Sequence, residues 1–376
     1  MSSGAMVLER LRVQDFRNIA LAALEWGGGL NLLVGGNGQG KTNLLEAIGL
    51  LASGRSFRRV PAAVLRRHGQ AGFYLRGEVV CGGLQHRLEF SGAGAQQSVR
   101  LNGKGVASAS AMGQVLAAVV LTPDAPALIR GAPEERRDYL DWILFCHERG
   151  YAGVVRDYHG ALKARNHLLR TQCQDGRQFE AWEARLAVLG GEITWKRQQM
   201  LVRVSERLAV FLDALALDPV GYLWQMRLSV AGVGLEPGVA VESMVAAYRA
   251  ALVRSRSGDQ RSGSTSVGPH RDDPVFLQGG RLLARFGSRG QQKRFLLALK
   301  LAEADLLRQR LGEAPLLLLD DPMTELDREG GERLMQVLAA GVNQIFLATC
   351  AAVELAGFSS RPVRCFAVEG GEVRAV

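Results

Sequence analysis

The spacing of apolar residues predicts alternating strands and helices in the first third of the chain. Short apolar or alternating runs predict strands at residues 8–16, 19–26, 30–36, 72–80, 85–92, 98–106 and 116–123. The third run leads into an apolar helix from Lys41 to about Ala52. Asn102-Gly103 is a dipeptide typical of a two-residue hairpin turn. This pattern predicts an α/β domain.

The middle of the chain has helical spacing instead, from Glu134 to about Leu217. Apolar residues recur three or four positions apart at Phe179, Trp182, Leu186, Leu189 and Ile193. A polar interruption at residues 170–178 divides the segment, so it predicts a helical pair that is too short for a long coiled coil.

After this segment the pattern predicts a strand at residues 222–230 and a helix at 241–256. Residues 257–268 are polar and rich in glycine and serine, which predicts a flexible loop, and strands and helices then resume to the end. The interpretation is a discontinuous α/β head of residues 6–133 and 262–376, with a mainly helical inserted domain of residues 134–261.

Composition limits the classes of protein that fit. With 47% hydrophobic and 22% charged residues among 376, the chain can bury a globular core. Its five cysteines are far apart in sequence, which argues against a disulfide framework or zinc site and is typical of a reducing cytoplasm. Since no apolar run approaches the roughly 18 residues of a membrane span, we expect a cytoplasmic protein with no membrane partner.

The chain is basic, with a formal net charge of +9, which favours a polyanionic partner. Two segments concentrate this charge. Residues 54–77 contain six arginines and no acidic residue, and residues 250–300 contain ten lysines or arginines against three aspartates. Solvated surface charge would give the same pattern, and that alternative stays open.

The stretch GGNGQGKT is a complete phosphate-binding loop between an apolar strand and a helix. Its residues are Gly35, Gly36, Asn37, Gly38, Gln39, Gly40, Lys41 and Thr42. Glycines allow the backbone N–H groups to face the phosphates of ATP, and the helix N-terminus favours negative charge. Lys41 is expected to contact the β- and γ-phosphates, and the hydroxyl of Thr42 to bind Mg²⁺.

The stretch APLLLLDD is an apolar strand that ends in two carboxylates. Buried parallel strands have this composition, and ligands bind at their carboxyl ends. We expect Asp320 to hold Mg²⁺ together with Thr42, and Asp321 to orient or deprotonate the attacking water. The alternative is that the strand ends at a solvated acidic turn that has no part in a nucleotide site.

A third motif, GSRGQ, precedes a helix that leads to the acidic strand, and TELD follows that strand. They resemble the signature loop and the D-loop of ABC-type ATPases. That resemblance implies that Ser288, Gly290 and Gln291 cap the γ-phosphate of ATP bound by the opposite subunit. The expected state is therefore an ATP-dependent homodimer, and the expected fold is an ABC-type P-loop ATPase head with a mixed sheet and helices.

Further blocks resemble the RecF family, in the branch of ABC-type ATPases that includes SMC and Rad50. They are LRVQDFRNI, NLLVGGNGQGKTNLLEAI, GRSFR, TPDAPALIRGAPEERRDYLDW, GPHRDD and SRGQQKRFLLALKLAEA. The resemblance implies an ATP-dependent protein of recombinational repair that binds duplex and gapped DNA. It also implies cooperation with RecR and RecO to load RecA on single strands.

Some positions depart from the pattern of ABC-type transporters. Asp321 stands where transporters carry glutamate, and Thr349 is the residue at the expected place of the switch histidine. These departures predict a slow ATPase. Two alternatives stay open: the ATPase subunit of a membrane transporter, and a structural clamp that binds ATP with negligible turnover.

The basic segments supply candidate contacts to DNA phosphates. These are Arg55, Arg58, Arg59, Arg66, Arg67, Lys293 and Arg294. Arg55 and Arg58 follow the phosphate-loop helix closely, so contact with the nucleotide or the dimer interface is equally compatible. The pair Arg136-Arg137 is interpreted as a salt-bridge cluster with nearby aspartates, and His270 as part of a functional loop.

Overall fold

The computed structural model describes residues 4–94, 96–106, 109–173, 175–230, 239–350, 358 and 361–376. The chain divides into two compact units, one of residues 1–125, 211–217 and 289–376, the other of residues 126–210 and 218–288. Both units are discontinuous in sequence, because residues 211–217 of the first unit interrupt the second. The domain limits given above stay a prediction.

The strands of the described residues are β1 (Val7–Phe16), β2 (Ile19–Glu25), β3 (Leu30–Val34), β4 (Gly72–Cys81), β5 (Leu84–Ala93), β6 (Gln96–Leu101), β7 (Lys104–Gly105), β8 (Ala118–Leu121), β9 (Tyr222–Arg227), β10 (Asp273–Gln278), β11 (Arg281–Leu282), β12 (Leu316–Asp320), β13 (Ile345–Thr349), β14 (Val363–Glu369) and β15 (Glu372–Ala375). The helices are α1 (Lys41–Ser53), α2 (Ala62–Leu65), α3 (Ala127–Arg130), α4 (Pro133–His147), α5 (Tyr151–Arg170), α6 (Gly176–Ala214), α7 (Val241–Ser262), α8 (Leu283–Phe286), α9 (Arg289–Leu311) and α10 (Arg328–Ala340), with a 3-10 helix at Ala109–Gln114.

The first unit contains two six-stranded sheets. One is mixed, with the order β15-β14-β3-β13-β12-β8, and every neighbouring pair is parallel except β14 with β15. Its strands β12 and β13 are continuous apolar runs buried along their whole length, as expected of parallel strands covered on both faces. The other sheet, β2-β1-β4-β5-β6-β7, is antiparallel.

Helix α1 packs against both sheets and is buried on nearly all sides. Leu44, Leu45, Ile48 and Leu51 have no exposed surface, and each such side chain stabilises the fold by about 1.5–3 kcal/mol. Gly49 leaves room for neighbours, because a Cβ there would lie 3.2 Å from the ring of Phe57. Burial on all sides explains why this helix lacks a polar face in the sequence.

The second unit contains the sheet β11-β10-β9 and most of the helices. The predicted helical pair is wrong in number, because residues 133–214 form three helices, α4, α5 and α6. A turn at Gly150, with φ of 85°, separates α4 from α5. Four of the five predicted apolar positions on α6 are buried, whereas Trp182 is 38% exposed.

The predicted loop at residues 257–268 is wrong in its first half, because α7 continues to Ser262. Asp259 is fully buried and accepts a hydrogen bond from Arg165 Nη1 at 2.8 Å. Asn166 binds both the backbone N–H and the hydroxyl of Thr265. Contacts distant in sequence therefore order a segment whose composition is typical of a loop.

The antiparallel hairpin at β6 and β7 follows the prediction. Asn102 and Gly103 both have positive φ, 51° and 79°, as a two-residue turn of this class requires.

Candidate nucleotide site

The candidate site lies at the carboxyl ends of three adjacent strands, β3, β13 and β12. Val34 pairs with Thr349 across β3 and β13, and Asp320 pairs with Ala348 across β12 and β13. The phosphate loop and the two aspartates therefore follow strands on either side of β13. Ligands of parallel α/β sheets bind at such an edge.

The loop at residues 35–40 has the backbone that its glycines allow. Gly38 and Gly40 have φ of 77° and 119°, a region that other residues rarely adopt. A Cβ on Gly35 would lie 2.2 Å from the carbonyl oxygen of Val368, so only glycine fits there. Lys41 begins α1 and donates from Nζ to the carbonyl oxygens of Gly35 and Gly36, at 2.7 and 2.9 Å.

Two neighbouring segments hold this loop in place. Asn18 donates from Nδ2 to the carbonyl oxygen of Gln39 at 3.1 Å, and its Oδ1 accepts from Asn43 Nδ2 at 2.8 Å. In the turn between β14 and β15, Gly370 N–H donates to Gln39 Oε1 and Gly371 N–H to the carbonyl of Gln39. Sequence reasoning missed Asn18, because no spacing rule connects it to a loop about twenty positions later.

Asp320 is 1% exposed, and neither of its carboxylate oxygens has a hydrogen-bond partner among the described residues. Burial raises the pKa of this carboxyl, and the Asp321 carboxylate raises it further. The Thr42 hydroxyl, Arg58 and Lys41 lower the pKa in part. Although Thr42 is near enough to have that effect, it does not satisfy either oxygen by hydrogen-bond geometry, so the carboxylate is left to bind something else.

A cation fits this arrangement. A buried carboxylate without a partner is unfavourable by several kcal/mol in an apolar environment, and a bound metal removes that cost. Carboxylate and hydroxyl oxygens are hard ligands of the kind that Mg²⁺ binds, usually with phosphate oxygens and water completing the shell. Asp320 and Thr42 are therefore a chemically suitable pair for Mg²⁺ held with a nucleotide.

Asp321 follows β12 in an unusual backbone conformation, with φ of 46°. Its N–H donates to the carbonyl oxygen of Ala348 at 3.0 Å, which fixes the residue against β13. The thiol of Cys350 lies 3.5 Å from Asp321 Oδ1 and 3.2 Å from Asn37 Oδ1. Cys350, rather than the buried Thr349, thus stands between the phosphate loop and Asp321, a position that the sequence did not reveal.

The predicted signature residues lie at the start of α9. Ser288 is the exposed residue before the helix, and Gly290 and Gln291 are half-buried in its first turn. A Cβ on Gly290 would lie 3.3 Å from the carbonyl oxygen of Glu325, and Arg289 forms a long ion pair of 4.0 Å with the same residue. The helix therefore begins against the turn that follows Asp321.

Lys293 lies one turn further along α9 and is 3% exposed. Burial lowers the pKa of its ammonium group, while the carboxylates of Glu325, Asp321 and Asp320 oppose that effect. Its helical position directs it towards these carboxylates, so the structure gives no support to a DNA contact at Lys293. Arg294 is half-buried and stays a candidate.

Arg58 is held beside α1 by a buried acid. Glu46 has no exposed surface and accepts hydrogen bonds from both Arg17 Nε and Nη2 at 2.9 Å, and from Ser56 Oγ. Arg58 donates from Nη1 to Asn43 Oδ1 at 2.9 Å and lies 3.3 Å from Glu46. Arg58 is also close enough to lower the pKa of Asp320. Its position therefore favours a contact with the nucleotide over a contact with DNA.

The four other arginines predicted as DNA contacts in residues 54–77 are exposed, namely Arg55, Arg59, Arg66 and Arg67. The last two have a rigid support, because Arg66 pairs with Phe16 in a β-bridge and Arg67 N–H donates to the carbonyl oxygen of Asp15 at 2.7 Å. They remain suitable for contact with a polyanion.

Two family-like motifs meet within the second unit. Arg136 forms a bidentate pair with Asp273, at 2.7 and 3.0 Å, and Arg137 donates to the carbonyl oxygen of Asp272 at 2.9 Å. Of the aspartates predicted to join this cluster, Asp141 pairs with Arg197 instead.

His270, from the same motif, is also engaged internally. The hydroxyl of Tyr158 is 2.7 Å from Nδ1, and Nε2 is 3.2 Å from the carbonyl oxygen of Thr265, an arrangement that suits a neutral ring protonated on Nε2. Burial lowers the pKa of His270 to about 4. The geometry assigns the ring a structural part in this unit.

Comparison with known proteins places these motifs in context. Residues 7–373 match the model of the RecF/RecN/SMC N-terminal domain. The chain is 47% identical over 374 residues to the DNA replication and repair protein RecF of Magnetococcus marinus, covering 97% of each chain. It is 34% identical over 368 residues to the protein of the same name from Trichlorobacter lovleyi, covering 98% of each.

Solved structures agree with the sequence relatives. The recombination mediator protein RecF with ATP, from the RecFOR pathway, superposes with a TM-score of 0.83 at 30% identity and covers 99% of both chains. An SMC head domain from Pyrococcus furiosus gives a TM-score of 0.57 at 16% identity, which shows similarity of fold alone. The expected α/β fold of an ABC-type head is confirmed. Within the described residues, no helix has the length and apolar content needed to cross a bilayer.

Proposed function

Because this chain belongs to the RecF family, we propose that it is an ATP-operated protein of DNA replication and recombinational repair. In this proposal an ATP-bound homodimer binds duplex or gapped DNA. It acts with RecR and RecO to help load RecA on single-stranded gaps. Support comes from the relatives, which carry the name DNA replication and repair protein, and from the solved RecF structure with ATP.

The observation that carries the ATP part of the proposal is the buried carboxylate of Asp320. Its two oxygens lack hydrogen-bond partners in the part of the chain that the structure describes, and the phosphate loop and Thr42 share the same sheet edge. A purely structural strand end would leave such a carboxylate paired or solvated. Mg²⁺ bound with ATP supplies the missing positive charge and polarises the phosphate oxygens.

The residues of the chain have distinct parts in this proposal. The N–H groups of residues 36–41 and the start of α1 bind the phosphates, and Lys41 turns from the loop carbonyls to neutralise the β- and γ-phosphates. Thr42 and Asp320 hold Mg²⁺. Asp321 orients or deprotonates the attacking water, and Cys350 holds Asp321 in place.

We expect this hydrolysis to be slow. A single aspartate has a shorter reach than the glutamate of transporters, and a cysteine thiol is a weak hydrogen-bond donor at the place where a histidine would assist. Slow hydrolysis suits a switch, since the ATP-bound state then lasts long enough for DNA to bind.

The signature loop completes the site in trans in this proposal. Ser288 is exposed before α9, so its hydroxyl and the N–H groups of the first turn can approach the γ-phosphate of ATP bound by a second copy. Contacts at Gly290 and Arg289 connect that turn to Glu325, and hence to the segment that contains Asp321. Binding of a second copy at the signature loop can therefore affect the position of the Asp321 carboxylate.

Analytical ultracentrifugation tests the proposal, with the Ser288→Arg variant against wild type. Ser98→Arg is the matched control, because it adds the same charge at an exposed serine. We expect Mg²⁺-ATP to dimerise wild type and the control but not Ser288→Arg, and a duplex with a single-stranded gap to sediment with the dimer only.

Different failures have different meanings. If all three proteins bind ATP and stay monomeric, the completion of the site in trans is wrong. If the dimer forms but binds no DNA, the repair function fails, and an ATPase subunit of a membrane transporter becomes the better interpretation.

A further inference from the structure

A small cavity of about 240 Å³ lies within the second unit, where two family-like motifs meet. Its charged lining consists of Arg130, Arg136, Arg227, Arg285 and Asp273. Arg130 and Arg136 come from the stretch TPDAPALIRGAPEERRDYLDW, and Asp273 comes from GPHRDD. The proposed ATP site uses neither stretch, so their convergence at one cavity calls for another role.

The charge balance of the cavity is strongly positive. Both carboxylate oxygens of its one acid, Asp273, accept from Arg136, at 2.7 and 3.0 Å. Arg136 is 8% exposed and also donates to the carbonyl oxygen of Gly131 at 2.9 Å, so this pair is a fixed, buried part of the wall. The positive charge of Arg227 and Arg285 is then not neutralised by the acid of the lining.

Arg227 and Arg285 are the two side chains most suited to a ligand. Arg227 is at the end of β9, directly across from Asp273 on β10, and Arg285 is on α8. Both are exposed, and neither forms an ion pair with a carboxylate among the described residues. Two guanidinium groups at the rim of one cavity can bind the oxygens of one anion in a bidentate manner.

The size of the cavity limits the ligand. A volume of 240 Å³ corresponds to about eight waters at roughly 30 Å³ each, and pockets for complete drug-sized ligands usually begin near 300 Å³. A phosphate group with its hydration fits this volume, whereas a complete nucleoside triphosphate does not. Arginine is also the residue that suits phosphate oxygens best, because its planar donors match their spacing.

We propose that the cavity lined by Arg130, Arg227 and Arg285 is a binding site for one backbone phosphate of DNA. This inference rests on the proposed function, and it places a DNA contact outside the arginine-rich segment of residues 54–77. The overall charge of +9 favours a polyanion, and the proposed function makes DNA that polyanion. A phosphate contact fixes the position of the duplex without reading its sequence.

The test is the salt dependence of duplex binding, measured by fluorescence anisotropy with Mg²⁺-ATP present throughout. The variant is the double substitution Arg227→Gln with Arg285→Gln, and the charge-preserving pair Arg227→Lys with Arg285→Lys is the rescue. Arg249→Gln with Arg254→Gln is the matched control, because both residues are exposed on α7 of the same unit and the charge lost is equal. Far-UV circular dichroism and thermal melts check that all variants fold.

Removal of this one phosphate contact reduces the slope of log K against log [NaCl] by about 0.9. We expect this change in the glutamine variant, a smaller one in the lysine variant and none in the control. Binding of a fluorescent ATP analogue stays unchanged in every variant, which separates this site from the nucleotide site.

Three results would overturn the inference. Equal changes of slope in the variant and the control would mean that general charge, and not this cavity, attracts DNA. An unchanged slope with loss of binding to a heptaglutamate peptide would assign the cavity to an acidic protein segment. Wild type that binds the ATP analogue but no duplex at any salt concentration would refute the proposed DNA function itself, and this site with it.

Discussion

The substitution Asp320→Asn tests two effects of the buried carboxylate separately: the loss of stability that its charge causes in the free protein, and the binding of Mg²⁺ with ATP. Asp320 is 1% exposed and neither oxygen has a hydrogen-bond partner among the residues described, so the ionised side chain destabilises the free protein. Asparagine keeps the shape and removes the charge. We expect the free variant to be more stable than wild type and, at the same time, unable to respond to Mg²⁺-ATP.

The magnitudes follow from this environment. An unsatisfied buried polar group costs about 1–3 kcal/mol, and more when it is charged. Since the asparagine amide is itself unsatisfied, we take the lower end, a gain of about 1 kcal/mol, or roughly 2–4 °C in melting temperature for a domain of 150–250 residues. Mg²⁺-ATP at about 100 times its Kd stabilises wild type by about 2.7 kcal/mol, and the variant loses the Mg²⁺-dependent part of that gain.

The pH dependence has a definite sign. Because burial raises the pKa of Asp320 in the folded state, that state holds a proton at pH values where the unfolded chain has lost it. Stability therefore falls as pH rises from the ordinary range of aspartate through the raised pKa. The variant lacks this decline, so its advantage over wild type disappears at low pH.

The assay is thermal unfolding of both proteins from pH 4 to 8, without ligand, with ATP and EDTA, and with Mg²⁺-ATP. Asp124→Asn is the matched control, because Asp124 is an exposed aspartate of the same unit. The reasoning is refuted if Asp320→Asn melts below wild type without ligand, or if Mg²⁺-ATP stabilises both proteins equally.

Three other substitutions test separate parts of the structure. Lys41→Met removes charged hydrogen bonds worth about 1.5–3 kcal/mol, so binding of a fluorescent ATP analogue weakens by roughly 10- to 150-fold, and unchanged affinity would contradict the phosphate-loop assignment. Arg165→Met leaves the buried Asp259 without its cation and Glu183 with Arg256 alone, and it lowers the free energy of unfolding in urea by about 3–5 kcal/mol, whereas the exposed Arg170→Met changes it little. The pKa of His270, about 4, means that wild type loses stability as pH falls from about 6.5 towards that value. His270→Asn flattens this loss in urea unfolding at pH 4.5, 5.5 and 6.5, and an equal loss in both proteins would assign the pH dependence to other groups.

Several elements could be predicted from sequence because their signals are local. The phosphate loop needs glycines at fixed offsets from a lysine, and a buried parallel strand needs an unbroken apolar run, as at residues 316–320. Asn102-Gly103 forms its turn because two adjacent residues must both adopt positive φ. Each of these requirements concerns neighbours in the chain.

Where the structure departs from what the sequence pattern suggests, the physical cause is the same. The segment at residues 257–268 has the composition of a loop, but the ion pair between Asp259 and Arg165 extends α7 through half of it. Lys293 is basic, yet its place on α9 buries it beside carboxylates some thirty positions later. Burial and pairing across the fold override local propensity, and sequence patterns carry no information on which distant groups meet.

The class of protein, the phosphate loop and the acidic strand could be predicted from the sequence, since loop geometry and the burial of a whole strand depend on short runs of neighbouring residues. The environment that distant residues share depends instead on the folded chain. The tertiary structure placed Cys350 beside Asp321, Asn18 under Gln39, and Arg285 at a cavity with residues more than 140 positions earlier in the chain. These contacts depend on strand order and helix packing, which bring side chains from distant parts of the chain within a few ångströms. Their proximity then determines protonation, pairing and chemistry.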